Sequence, residues 1–311
     1  MLAKRVIQQT PDFLALAIFR REGRYVLRLA DTEADLDAVQ KLRYDVFNVE
    51  LGEGLPSSAI TRRDQDEFDS VCHHLMIIDD EKNEVVGTYR IQTGEMAAAG
   101  NGFYSAGEFD LSLLPDEIPH NSVELRRACI AAEHRHTQAL LLLWKGIAAY
   151  LKATGKRYLF GCCSLSSQSM TEARAVMKLL EAGAHIHPFL YVRPRPGFAC
   201  DLSDEKETSG ETAIPKLFKT YLRVGAKVCG APAIDRQFGT IDFFCADGHP
   251  QSGCFFATIV AGAQSQMNIL TAICRTIAFV AITSGLYFAC QMRESARSRL
   301  WHLDERLIQC R

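Results

Sequence analysis

The stretch SVELRRACI (residues 122–130) alternates apolar residues as a strand does, yet it carries Glu124, Arg126 and Arg127 in its interior. Burying a charge is costly unless it is paired, so a charged strand interior marks either an edge or a site. Other charges fall in comparable places. A helical stretch, KLRYDVF, carries Arg43 and Phe47; the loop that follows ends in Asp66 and Asp69; the strand VVGTYRIQ carries Arg90. A carboxylate so placed can take a proton from a reacting group, and a guanidinium can hold a carboxylate by a two-pronged contact. Taken one at a time, each of these is equally well a solvated surface charge, and that alternative stands at this point.

Several other groups carry less. His74 and Asp79 match H-x-x-x-x-D, but residues five apart on a strand point to opposite faces and cannot cooperate there. His185-x-His187, His134-x-His136 and the adjacent Cys162 and Cys163 lack complementary pairs at zinc spacing, so no metal is expected.

The elements that must position these residues can be read from periodicity. A strand is expected over 25–30, then a helix over 32–50 capped by Asp31 or Thr32, with Leu36, Val39, Leu42 and Val46 at helical spacing. A Gly- and Ser-rich charged loop precedes two strands, 74–79 and 85–92, joined by a polar turn. After the 122–130 strand come a strongly apolar helix (137–154) stopped by Gly155 and a buried-type strand (158–163). The rest reads as a helix (171–183), a short strand (189–192), a helix begun by Pro215 and a last strand (240–246). This order implies an α/β fold, a mixed central sheet flanked by helices on both faces. No G-x-G-x-x-G follows the first strand, which removes the Rossmann reading.

The 311 residues hold 35 basic and 37 acidic side chains, so no global charge favours nucleic acid, and none is expected as a partner. Eleven scattered cysteines without a C-x-x-C pair read as reduced thiols of a cytosolic protein. The N-terminus lacks a small-residue cleavage site, against a signal peptide. Composition shifts near Pro250: from Cys254 to Met292 only Arg275 is charged, and a basic stretch follows. Three regions are therefore expected: an N-terminal extension (1–24), a folded domain (25–250) and an apolar helical tail (251–311), membrane-associated or, alternatively, a helical pair packed on the domain.

Taken together, Arg43 with Val46 and Phe47, Asp66 with Asp69, Arg90, and Glu124 with Arg127 resemble the charged cluster of the autoinducer (acyl-homoserine lactone) synthases, within the GNAT acyltransferase superfamily. The blocks DEFDSVCHHLMIID, VELRRACIAAEHR, LLWKGIAAYLKATGKRYLFGCCSLSS and LFKTYLRVGAKVCGAPAIDRQFGTIDFF narrow this. They resemble the ornithine-lipid N-acyltransferases, often labelled hemolysin-like, over roughly residues 25–247. The resemblance implies a GNAT-like acyl-CoA N-acyltransferase fold with an apolar helical C-terminal appendage. It also implies transfer of a 3-hydroxyacyl group from acyl carrier protein to the α-amine of ornithine, giving lyso-ornithine lipid. A departure bears on the donor. Where the superfamily has a glycine-rich pyrophosphate loop, this chain reads RHTQAL (135–140), without glycine. That fits acyl-phosphopantetheine on a carrier protein, with no bound cofactor.

The resemblance also implies roles. Glu124 is either a general base or an organiser paired with Arg43, Arg90 or Arg127. Backbone N–H groups around Cys129, Ile130 and Ala131 would hold the oxyanion. Arg43, Arg90 and Arg127 would grip the acceptor's carboxylate, with Asp66 and Asp69 receiving its second ammonium. Arg126, Arg135, Lys156 and Arg157, with Lys145 and Lys152, would meet the acidic carrier. Positive flanks after the apolar run favour the cytoplasmic face of the inner membrane. An autoinducer synthase, another N-acyl amino acid synthase and a non-catalytic acyl-carrier or lipid-binding adaptor remain the alternatives.

Overall fold

The computed structural model describes residues 10–135, 137–203 and 214–247. The expected apolar tail lies outside them. Among the described residues no helix is long and apolar enough to cross a membrane.

Helix α1 (Asp12–Ile18) buries Leu14 and Ile18, and β1 (Arg20–Glu22) pairs antiparallel with β2 (Tyr25–Leu29). The expected boundary at residue 25 thus falls inside a hairpin. Its first strand, Arg-Arg-Glu, is polar and three residues long, too short to show alternation. Helix α2 (Glu33–Tyr44) starts at a reciprocal cap: the Thr32 hydroxyl accepts from the Asp35 N–H while the Asp35 carboxylate accepts from the Thr32 N–H. Its end widens into a π-helical turn, Asp45–Glu50. A short α3 (Ser58–Thr61) precedes β3 (His73–Asp79) and β4 (Glu84–Thr93), the expected antiparallel pair. The Gly/Pro-rich connection contains short helices α4 (Gly94–Ala99) and α5 (Glu117–His120). Then come β5 (Ser122–Ile130), α6 (Thr137–Thr154), β6 (Tyr158–Leu165) and α7 (Met170–Ala182). The described chain closes with α8 (Lys216–Arg223), β7 (Ala226–Val228), β8 (Ala233–Asp235) and β9 (Thr240–Asp247).

One expected strand is absent. Residues 189–192 run extended, with Leu190 and Val192 buried and Phe189 and Tyr191 exposed. Val192 donates to the Cys229 carbonyl, but no ladder forms. Alternation there reports burial on one side, not pairing.

The strand order is β1-β2-β3-β4-β5-β6-β9-β7, with β8 also on β9. Strand β5 is therefore central, and its charges do not mark an edge. Every pairing is antiparallel except β5 with β6, which lie parallel only from Ser122–Tyr158 to Glu124–Phe160. Beyond that point β5 has no ladder partner on its β6 side, and the sheet opens into a cleft. Helix α6 covers one face, burying Leu142, Leu143, Ile147 and Leu151 against Leu27, Leu75, Ile77 and Ile91. Those four side chains contribute on the order of 10 kcal/mol as an upper estimate. Helix α2 covers part of the other face, where Leu42, Val46 and Phe47 meet Cys129 and Phe238.

The strands part at Gly161. A Cβ there would collide with the Leu125 carbonyl oxygen of the neighbouring strand. Gly161→Ala is therefore expected to overpack the apex of the cleft by about 1–3 kcal/mol and lower Tm by several degrees. An unchanged melting temperature would show that the strands have room to separate.

Candidate active site

Within β5 the register slips by one residue. Thr88 faces Cys129 but Arg90 faces Arg126, so residues 127 and 128 together oppose Tyr89. Arg127 takes φ +52°, a region that residues other than glycine seldom occupy. The bulge lets two consecutive arginines leave the strand on the same face. Both lie over the ring of Tyr104, Arg126 at 4.1 Å and Arg127 at 5.1 Å from its centroid. From there they run to different partners.

Arg127 joins a buried network. Arg43 holds Asp64 at 2.7 Å and Asp69 at 2.8 Å; Arg90 holds Asp66 and, at 3.0 Å, Asp69. Arg127 holds Asp64 at 3.0 Å and Asp66 at 3.3 Å. Burial alone would raise the three carboxyls, but the guanidinium groups outweigh it and hold all three below the usual range. His74 donates its Nε2–H to the Asp69 backbone carbonyl, 3.0 Å away. Burial pushes its pKa down to about 4, so it is neutral. Asp66 and Asp69 also cap the turn Glu67–Ser70 reciprocally, which explains the D-x-x-D spacing locally.

The structure thus brings together Arg43, Asp66, Asp69, Arg90 and Arg127, and adds Asp64. Asp64 was legible as the first acid of D-x-D-x-x-D. Phe47 stands outside, edge-on to Phe238 at 5.5 Å, and Phe238 underlies Arg127 at 4.3 Å. Three guanidinium groups balance three carboxylates, so the network neutralises itself. Arg43 is wholly buried, and Asp66 and Asp69 are already ion-paired. The sequence expectation assigned Arg43 the acceptor's carboxylate and these aspartates its ammonium; in the structure the three are engaged within the network. Arg90 Nη2 and Asp64 Oδ1 are the only atoms of the six side chains left buried without a partner.

Glu124 pairs with none of these arginines. Its carboxylate accepts from the backbone N–H groups of Tyr104 (2.8 Å) and Ser105 (2.9 Å) and from the Ser105 hydroxyl. That clamps the loop that presents the Tyr104 ring to Arg126 and Arg127. Of the two roles open to Glu124, this geometry favours the organiser, acting on a loop instead of an arginine.

The backbone donors divide. Ala131 donates to the Val86 carbonyl in the ladder with β4, which the alternation of an antiparallel pair extends to Cys129. Ile130 lies between them, and its carbonyl accepts from Arg135 Nε at 2.8 Å on the far side from β4. Its N–H therefore faces the opening toward β6 and is the candidate oxyanion donor. Cys129 and Ala131 are not.

The basic rim also changes. Arg126 is 8% exposed, held between Glu108 (3.3 Å) and Asp242 (3.6 Å), out of reach of a carrier protein. Arg135 and Lys156 are paired with Glu50 and Glu95, and Lys145 with Glu22. Arg157 is exposed, as is Lys152.

Removing the Arg43 side chain leaves Asp64 and Asp69 buried without the guanidinium that bridges them. Arg43→Ala is expected to cost about 3–5 kcal/mol, read by urea denaturation, with Arg43→Lys failing to restore it because a point charge cannot bridge both carboxylates. Wild-type stability in the alanine variant would mean that water compensates the site. For Glu124→Gln, turnover is expected to fall by about 10²-fold through misplacement of the Tyr104 loop, while the pH at which turnover rises stays where it is. If that acid limb moves or vanishes, Glu124 is the base.

Comparison with known proteins bears on this geometry. A family model described as an acetyltransferase (GNAT) domain matches residues 42–145. The L-ornithine N(alpha)-acyltransferase of Brucella abortus is 34% identical over 239 residues, covering 73% of this chain and 85% of its own. That of Agrobacterium fabrum is 35% identical over 240 residues, covering 72% and 81%. Among solved structures, the AHL synthase LasI aligns over 75% of this chain and 94% of its own, with 13% identity and a TM-score of 0.42. The opened mixed sheet is that of the GNAT acyltransferases, and by its similarity along most of its length the chain belongs to the L-ornithine N(alpha)-acyltransferase family.

Proposed function

We propose that this acyltransferase moves a 3-hydroxyacyl group from acyl carrier protein to the α-amine of ornithine, the first step of ornithine-lipid synthesis. The observation that carries the reading is the opening of β5 from β6 just past Glu124, with the Ile130 N–H facing into it. A thioester laid in that opening presents its carbonyl oxygen to a fixed donor. The neutral amine attacks the carbonyl carbon, the C–N bond forms, the C–S bond breaks, and the thiolate takes up the proton that the amine loses. No enzyme nucleophile is needed.

Ornithine as acceptor follows the names of the relatives. The carrier protein as donor is supported by the turn after β5. A 3₁₀ turn, Ala132–His134, occupies the place of a glycine-rich loop, and Arg135 there is bound to the Ile130 carbonyl and to Glu50. Side chains replace the bare backbone that a pyrophosphate would approach. The tail 251–311 would hold the enzyme at the cytoplasmic leaflet, where a long-chain product must enter lipid.

One set of measurements tests these parts. Purified full-length protein is given a 3-hydroxyacyl group on carrier protein or on CoA, with ornithine, glycine or S-adenosylmethionine, and products are read by mass spectrometry. N-acylornithine is expected, with kcat/KM at least tenfold higher for the carrier donor. Equal use of acyl-CoA would remove the carrier, and acyl-homoserine lactone from S-adenosylmethionine would remove the acceptor assignment. Carbonate-washed membranes should retain the full chain and release one ending near Asp247; a soluble full chain would refute the membrane attachment.

A further inference from the structure

Arg126 and Arg127 are neighbours in sequence, yet the clusters they enter differ in charge. Around Arg127 three guanidinium groups meet three carboxylates. Around Arg126 one guanidinium meets two, Glu108 at 3.3 Å and Asp242 at 3.6 Å. Both carboxylates are almost wholly buried, at 4% and 2% exposure. Each leaves one oxygen, Glu108 Oε2 and Asp242 Oδ1, buried without a hydrogen-bond donor. A third carboxyl, Glu53, is half-buried close to Asp242 and is raised by burial and by that neighbour. Burial, with Asp242 beside it, pushes the Glu108 carboxyl up to about 9. With no ligand the cluster is balanced by a proton kept on Glu108; with both carboxyls ionised it is one positive charge and two donors short.

The deficit lies at the cleft. Arg126 is on β5 just beyond the point where β6 departs, and Asp242 faces Ser164 across β6 and β9. Along that face of β6 the side chains run from buried Phe160 through half-buried Cys162 to exposed Ser164. The Cys162 thiol lies within 4.8 Å of a carboxylate oxygen of both Glu108 and Asp242. The cluster is therefore the floor of the opening in which the acyl group would be transferred.

A metal ion, an ammonium, or a proton shared between the carboxyls would each supply the missing charge. Arg126 already stands against both carboxylates, and a divalent ion among them would be repelled by it. An ammonium brings a single charge and three N–H donors, enough for both orphaned oxygens. We propose that Glu108 and Asp242 seat the second ammonium of the acceptor, the group by which a dibasic amino acid differs from a neutral one of equal length. The assignment rests on the acceptor reading above and moves this role from Asp66 and Asp69, which the first cluster consumes.

Calorimetry on the full-length protein with ornithine and with norvaline, its neutral counterpart, tests the site without requiring turnover. Wild type is expected to bind ornithine about 10–100-fold more tightly than norvaline, the range of one or two charged hydrogen bonds. In Glu108→Gln and Asp242→Asn, checked for folding by circular dichroism, that ratio should fall toward one. Glu53→Gln, at the half-buried rim, should lower it about threefold, as for a partly screened charge. Equal binding of the two amino acids by wild type overturns the proposal. So does an unchanged ratio in both core variants, which identifies a proton-sharing structural pair, and so does preferential binding of Zn²⁺ added alone. An ornithine preference without acyl transfer sinks the transferase reading and leaves the site standing. Acylation that ignores the second amine does the reverse.

Discussion

The extra residue in β5 opposite Tyr89 puts two consecutive arginines on one face of a strand whose regular alternation would send them to opposite faces. Without it Arg127 would point into the apolar layer beneath α6, among Tyr89, Ile91 and Leu143. The bulge holds Arg127 at a positive φ, a conformation that needs compensation. Compensation comes from Asp64, Asp66 and the Phe238 ring. The kink in β5 and the network around it stabilise one another, and the cleft exists because both are present.

Two electrostatic regimes follow within a few residues. Around Arg43, Arg90 and Arg127 the carboxylates are matched in number, bonded, and removed from solvent; such a closed network organises backbone and leaves little to offer a ligand. It ties the C-terminal half of α2, the turn at Glu67–Ser70 and two central strands into a single unit. Around Arg126 one guanidinium faces two buried carboxylates, close to the point where β5 and β6 part. Interior charge in this domain therefore serves two ends, one architectural and one directed at a small molecule.

The loop between β4 and β5 links the regimes. Glu124 fixes the Tyr104 and Ser105 N–H groups. Tyr104 lies against Arg126, Arg127 and Arg90. Ser105 reaches Cys162 on β6 at 3.5 Å, and Glu108, three residues on, reaches Arg126. One buried carboxylate on β5 thus positions the loop that completes the acidic floor of the opening. Its hydrogen bonds go to that loop and to none of the arginines.

Periodicity and capping residues determined most elements, because α2, α6, β3, β4 and β9 bury one face or both and their apolar spacing says so. The clustering of Arg43, Asp66, Asp69, Arg90 and Arg127 was legible through the family resemblance, whereas taken singly each read equally well as a surface charge. Asp242 was open to a separate argument, a lone acid inside the apolar run TIDFFC. Only the tertiary structure decided which charges were already satisfied. Whether Asp66 is free for a ligand depends on Arg90 lying within reach, and whether Arg126 faces solvent depends on Glu108 and Asp242, which are 18 and 116 residues away in the chain. Sequence states which groups are costly to bury; the partner that offsets that cost is a matter of position in space.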